Sequence, residues 1–186
     1  MLELILIIVV LLLDQASKAL CASWLPSLAN QNYPLIKGVF ELSYVENRGA
    51  AFGMLQNKQL FFIILTAIVA IGMVWLLIKR RDAMYKFMRI CLALILAGAL
   101  GNLVDRIFLG YVRDMFYFAL IDFAVFNVAD AAITVGGAML IASLFFTREG
   151  RAFFAELEEK DKAKKAAATD PENEEQVQDA EEQNGR

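Results

Sequence analysis

The stretch FNVADAAITVGGAMLIASLFF, residues 126–146, decides the fold. Two polar residues, Asn127 and Asp130, lie near its start, and no charged residue follows them before its end. An apolar stretch of about 20 residues is long enough to cross the hydrocarbon core of a bilayer as a helix. Lipid offers no hydrogen bonds to a peptide backbone, so such a segment has to be helical. The sequence therefore predicts a transmembrane helix whose first turn is polar.

Similar apolar runs precede this one, and the composition agrees with them. The chain is 59% hydrophobic with a mean hydropathy of +0.51, whereas soluble domains contain about 45–50% apolar residues. The first run could instead be a secretory signal peptide, or end in a lipoprotein-type cleavage site at Cys21. It lacks a basic start, however, and Leu20 is too bulky for such a site. We therefore predict an all-α integral membrane domain over residues 1–148, with four transmembrane helices at about 4–22, 60–79, 87–108 and 126–146.

Basic residues in the short connections predict the orientation. Such residues favour the cytoplasmic side, which places both termini in the cytoplasm and makes residues 23–59 and 109–125 extracytoplasmic. Within the first outer segment, alternating apolar residues at 40, 42 and 44 predict a short β-strand, followed by an interfacial helix within NRGAAFG, residues 47–53. Residues 149–186 are acidic and predicted to be disordered. The basic residues are Lys79, Arg80, Arg81, Lys86, Arg89, Arg148 and Arg151.

Polar residues within the predicted spans fall in one layer. With alternating helix directions, they all lie towards the extracytoplasmic ends. Ionisable groups at membrane depth cost about 2.5–3.5 kcal/mol each and usually face the protein interior. Each also has a simpler structural explanation, as an ion pair, a snorkelling arginine or a helix cap. Their common depth predicts a functional cluster formed by Asp14, Lys18, Asn102, Asp105, Arg106, Asn127 and Asp130.

The composition restricts the chemistry available to this cluster. The absence of histidine excludes Ser/His/Asp and Cys/His nucleophilic sites and zinc sites built on imidazole. Two carboxylates suffice for general acid–base hydrolysis, although a metal-bound water held by the same acids is also possible. The alternative functions are a small proton- or cation-coupled transporter or channel component, and a structural membrane adaptor. A conduit needs polar groups along its whole length, and the second span has only Thr66 as a polar side chain.

Several short blocks resemble, in order, the signature blocks of lipoprotein signal peptidase (signal peptidase II), most closely a Gram-positive, clostridium-type form. The resemblance implies an aspartic endopeptidase of the bacterial cytoplasmic membrane. Such an enzyme cleaves the signal peptide of a prolipoprotein on the N-terminal side of the diacylglyceryl-cysteine, within the outer leaflet. The blocks are DQASK (14–18), ENRGAAFG (46–53), GNLVDR (101–106), VRDMF (112–116) and FNVADA (126–131).

The resemblance also implies roles for individual residues and partners. Asp114 and Asp130 match the catalytic pair. It implies no cofactor and no metal. The implied partners are a lipid-modified prolipoprotein and membrane lipid, without nucleic acid. The enzyme is expected to be monomeric and inhibited by cyclic peptide antibiotics such as globomycin. The residues that match the substrate-binding pocket are Asp14, Lys18, Asn47, Asn102, Asp105, Arg106 and Asn127.

Overall fold

The computed structural model describes residues 1–49, 56 and 58–168. It divides into two compact units, Met1–Ile141 and Ala142–Arg186. In chain order the principal elements are α1 (Leu2–Trp24), β1 (Asn32–Ile36), β2 (Phe40–Asn47), α2 (Gln59–Lys79), α3 (Lys86–Phe108), β3 (Val112–Tyr117), α4 (Val128–Phe146) and α5 (Arg148–Ala168).

Helices α1 to α4 are each long and apolar enough to cross a membrane. Together with the small sheet they confirm the predicted fold class. The most buried of them is α3, whose small residues allow close packing. A Cβ added at Gly98 would lie 2.3 Å from the carbonyl oxygen of Ala129 on α4, so glycine is required at this contact, as is common between membrane helices. This close approach brings the start of α4 against the C-terminal half of α3.

The two segments that the sequence predicts to be extracytoplasmic form one antiparallel sheet in the order β1-β2-β3. The predicted strand is present as its central member, β2. Strand β3, which lies within residues 109–125, was not predicted. It pairs with β2 so that Val45 lies opposite Asp114, and Phe116 of β3 forms a bridge with Phe126 just before α4. The interfacial helix predicted within residues 47–53 falls largely outside the described residues.

The acidic tail differs from the prediction of disorder, because residues 149–168 lie in helix α5. Alanine, lysine and glutamate are good helix formers. Lys160 and Glu156 form an i,i+4 ion pair at 2.5 Å, an arrangement that stabilises isolated helices. The Thr147 hydroxyl accepts a hydrogen bond from the Gly150 N–H at 3.0 Å and caps the first turn. Residues 169–186 lie outside the described residues.

Candidate active site

The first turn of α4 is a reciprocal capping box. The Asp130 N–H donates to Asn127 Oδ1 at 2.9 Å, and the Asn127 N–H donates to Asp130 Oδ2 at 3.2 Å. The spacing of the two residues in the sequence is typical of this motif. The N–H of Ala129, in the same turn, donates to Asp14 Oδ1 of α1 at 2.9 Å. Asp130 is thus held at the positive end of the α4 dipole, which favours a carboxylate there.

Asp114 of β3 faces this turn from the sheet. Its side chain is buried, and it accepts hydrogen bonds from Asn47 Nδ2 at 3.0 Å and from Asn127 Nδ2 at 2.6 Å. Burial, reinforced by the nearby charge of Asp130, raises the pKa of Asp114 to about 7. Below that pH Asp114 therefore carries a proton. Asn127 links the two acids, because it contacts Asp130 through the capping box and Asp114 through its amide.

Both aspartates line one cavity of about 490 Å³. Asn102 and Arg106 of α3 contribute further polar groups to its wall. The rest of the wall is mainly apolar and includes Phe118, Phe123 and Phe126, whose rings contact one another at centroid distances of 5.7 and 6.0 Å. A pocket with a few converging polar groups on an apolar wall has the usual character of a small-molecule or substrate site.

A buried network of charged side chains is hydrogen-bonded to the polar residues of the cavity wall. Lys18 is fully buried, with its Nζ 2.9 Å from Asp14 and 3.6 Å from Asp105. It also donates to Asn102 Oδ1 at 2.9 Å, and Asn102 Nδ2 donates in turn to Asp130 Oδ1 at 2.7 Å. An ammonium group can only donate, so Lys18 sets which end of the Asn102 amide points to Asp130. Lys18 is therefore more than a counter-ion of Asp14.

Arg106 reaches the cavity from the last turns of α3. Its Nη2 donates to the carbonyl oxygen of Gly49 at 3.3 Å, and its guanidinium lies 5.0 Å from the ring centre of Phe62 on α2. The Arg106 Nε is buried and has no hydrogen-bond partner among the described residues. A buried donor without a partner is costly. This N–H is therefore a candidate to contact a bound substrate.

The structure brings together every site residue predicted from the sequence, and it adds two that were missed. Arg113 donates to Asp105 through its backbone N–H at 2.9 Å, its Nε at 3.1 Å and its Nη2 at 2.8 Å. A further bond joins Arg113 to Gln15 Oε1 at 3.1 Å, and Gln15 Nε2 donates to Asp14 and Asp105. Both missed residues lie inside the blocks quoted above, and that position was the only available signal.

The four apolar helices and the two aspartates on one cavity wall define a membrane protein with a hydrolase-like site. A family model described as Signal peptidase (SPase) II matches residues 6–146. The lipoprotein signal peptidase of Caldanaerobacter subterraneus subsp. tengcongensis is 51% identical over 132 residues, which cover 70% of this chain and 87% of that protein. The lipoprotein signal peptidase of Clostridioides difficile is 43% identical over 152 residues, covering 81% of this chain and 100% of its own.

The fold is also similar to that of solved structures. A bacterial membrane enzyme superimposes with a TM-score of 0.69 at 34% sequence identity, over 76% of this chain and 86% of its own. The chain belongs to the signal peptidase II family, a family of aspartic proteases. This membership confirms the predicted family and enzyme class. The transporter and adaptor interpretations gain no support from it.

Among the described residues, no group of three or more His, Cys, Asp or Glu side chains is arranged to hold a metal ion.

Proposed function

We propose that this chain cleaves signal peptides from bacterial prolipoproteins on the N-terminal side of the diacylglyceryl-cysteine, with Asp114 and Asp130 as the catalytic pair. The observation that carries the proposal is the placement of both acids on one cavity wall, joined through Asn127. The names of the relatives support the substrate class.

The surroundings of the two acids suggest different roles. Asp114, with a pKa of about 7, holds the proton and acts as the general acid. Asp130, at the N-terminus of α4, acts as the base, because the helix dipole favours its ionised form. Asp130 takes a proton from water, the hydroxide adds to the scissile carbonyl carbon, and Asp114 protonates the carbonyl oxygen. When the C–N bond breaks, Asp130 returns its proton to the departing amine and Asp114 regains the proton of the collapsing diol.

The apolar part of the cavity suits the lipid part of the substrate. The rings of Phe118, Phe123 and Phe126 offer a surface for acyl chains, while Asn47 and Arg106 lie where a peptide backbone or lipid ester would need donors. Delivery within the bilayer removes part of the orientational cost of docking. The proposal places the site in the outer leaflet of the cytoplasmic membrane, with both termini cytoplasmic. We also propose that the enzyme is monomeric and that cyclic peptides such as globomycin inhibit it.

A reconstituted cleavage assay tests this function. Purified protein in detergent micelles is incubated with a diacylglyceryl-modified prolipoprotein, and in parallel with the same precursor carrying serine in place of the modified cysteine. We expect cleavage of the lipidated precursor alone, retained in EDTA and blocked by globomycin. Equal processing of both precursors would contradict the substrate assignment, and loss of cleavage in EDTA would contradict the carboxylate mechanism.

A further inference from the structure

A second cavity, of about 360 Å³, lies near the N-terminus of α1 and the C-terminus of α2, away from the candidate active site. We name it the α1–α2 crevice. Its wall is mostly apolar and is formed by Leu4 and Ile7 of α1, Leu77 and Ile78 of α2, and Leu96 of α3. Apolar cavities stay dry and bind apolar molecules. Because the helices around it are membrane-spanning, the apolar molecules available at this depth are acyl chains.

The mouth of the crevice carries a net positive charge. Glu3 lines it but is neutralised by Arg89, whose Nε lies 2.8 Å from Glu3 Oε1. Arg81 also lines the crevice, and it forms no ion pair within the part of the chain that the structure describes. The adjacent Asp82 is exposed and does not line the crevice.

We propose that the α1–α2 crevice is a binding site for one anionic phospholipid, with an acyl chain between α1 and α2 and the phosphate group at Arg81. A guanidinium group can bind phosphate through two parallel hydrogen bonds. The charge at the mouth favours a headgroup with net negative charge over a zwitterionic one. This site is independent of the proposed peptidase activity, because none of its residues lines the cavity that holds Asp114 and Asp130.

Native mass spectrometry of the full chain tests the proposal. The delipidated protein is offered phosphatidylglycerol or phosphatidylcholine. We expect one retained phosphatidylglycerol per chain and much less phosphatidylcholine. Arg81→Gln should weaken phosphatidylglycerol retention by about fivefold, the usual effect of one arginine near an anionic headgroup. Arg80→Gln is the matched control, because Arg80 lies over the Trp75 ring at 5.9 Å and does not line the crevice.

A second pair of variants tests the apolar part of the site. Ile7→Trp fills the crevice and should abolish retention, whereas Ile8→Trp should not, because Ile8 is exposed and outside the crevice wall. Equal retention of both lipids, or the same loss in each variant and its matched control, would overturn the site. Retention unchanged by both Arg81→Gln and Ile7→Trp would overturn it as well.

Discussion

Replacing Arg113 by methionine removes the ion-pair partner of a buried carboxylate, Asp105, beside the proposed catalytic acid Asp114. The Asp105 side chain is fully buried, and the guanidinium supplies two of its hydrogen bonds. Truncating one partner of a buried pair costs about 3–5 kcal/mol. Asp105 keeps the Arg113 backbone N–H, Gln15 Nε2 at 3.2 Å and Lys18 Nζ at 3.6 Å. We therefore expect the lower end, a loss of about 3 kcal/mol in the free energy of unfolding.

Unfolding in detergent micelles, compared with a matched surface variant, measures this loss. Arg48 pairs with Glu46 at 3.1 Å, and both side chains are largely exposed, so Arg48→Met should cost at most about 1 kcal/mol. Arg113→Met should also lower kcat more than it raises KM, because Arg113 directly precedes Asp114 in β3. Equal destabilisation by the two variants would refute the assigned role of the Arg113–Asp105 pair.

Three further predictions concern the network around the acids. Asn127→Ala should lower kcat by about 10²-fold, since one donor to a developing charge is worth that much; unchanged kcat would contradict its role in linking the acids. Gly101→Ala should lower the melting temperature, because its Cβ would lie 2.5 Å from Asp14 Oδ2, whereas Gly72→Ala, in open space, should raise stability by about 0.5–1 kcal/mol. Equal shifts in the melting temperatures of Gly101→Ala and Gly72→Ala would contradict the close approach of Gly101 to Asp14. Because the pKa of Asp114 is raised from 3.8 to about 7, the folded state holds a proton that the unfolded state releases. The resulting stability is present below pH 3.8 and lost as pH rises through 7. Melting temperatures at pH 5 and 8 should show a fall in the wild-type chain that is smaller in Asp114→Asn, and equal falls would contradict the raised pKa.

Local patterns in the sequence predicted much of the fold and those parts of the site whose residues are close together in sequence. The apolar runs predicted four spanning helices because membrane length and backbone hydrogen bonding leave few alternatives. The spacing of Asn127 and Asp130 is typical of a capping box, since that motif is contained within one helical turn. The prediction that Asp114 and Asp130 form a pair came from the resemblance of the quoted blocks to the family, and not from any periodicity.

The parts that were missed depend on contacts between distant segments. Strand β3 was not predicted because VRDMFY lacks simple alternation and its register with β2 is irregular. Gln15 and Arg113 are far apart in sequence and meet only when α1, α3 and β3 pack together. The tail was predicted as disordered from its charge, but the helix propensity of alanine, lysine and glutamate favours α5 over residues 149–168.

The catalytic role of the aspartate pair is tested most directly by cleavage rates of Asp114→Asn and Asp130→Asn, measured with lipidated prolipoprotein in detergent micelles. Asp122→Asn is the control, because Asp122 is exposed and accepts a hydrogen bond only from the Tyr117 hydroxyl among the described residues. We expect each of the first two variants to fold and to lose at least about 10³-fold in kcat, within the range for general acid–base groups, with the control unchanged. Near-normal turnover by either folded variant would contradict the account.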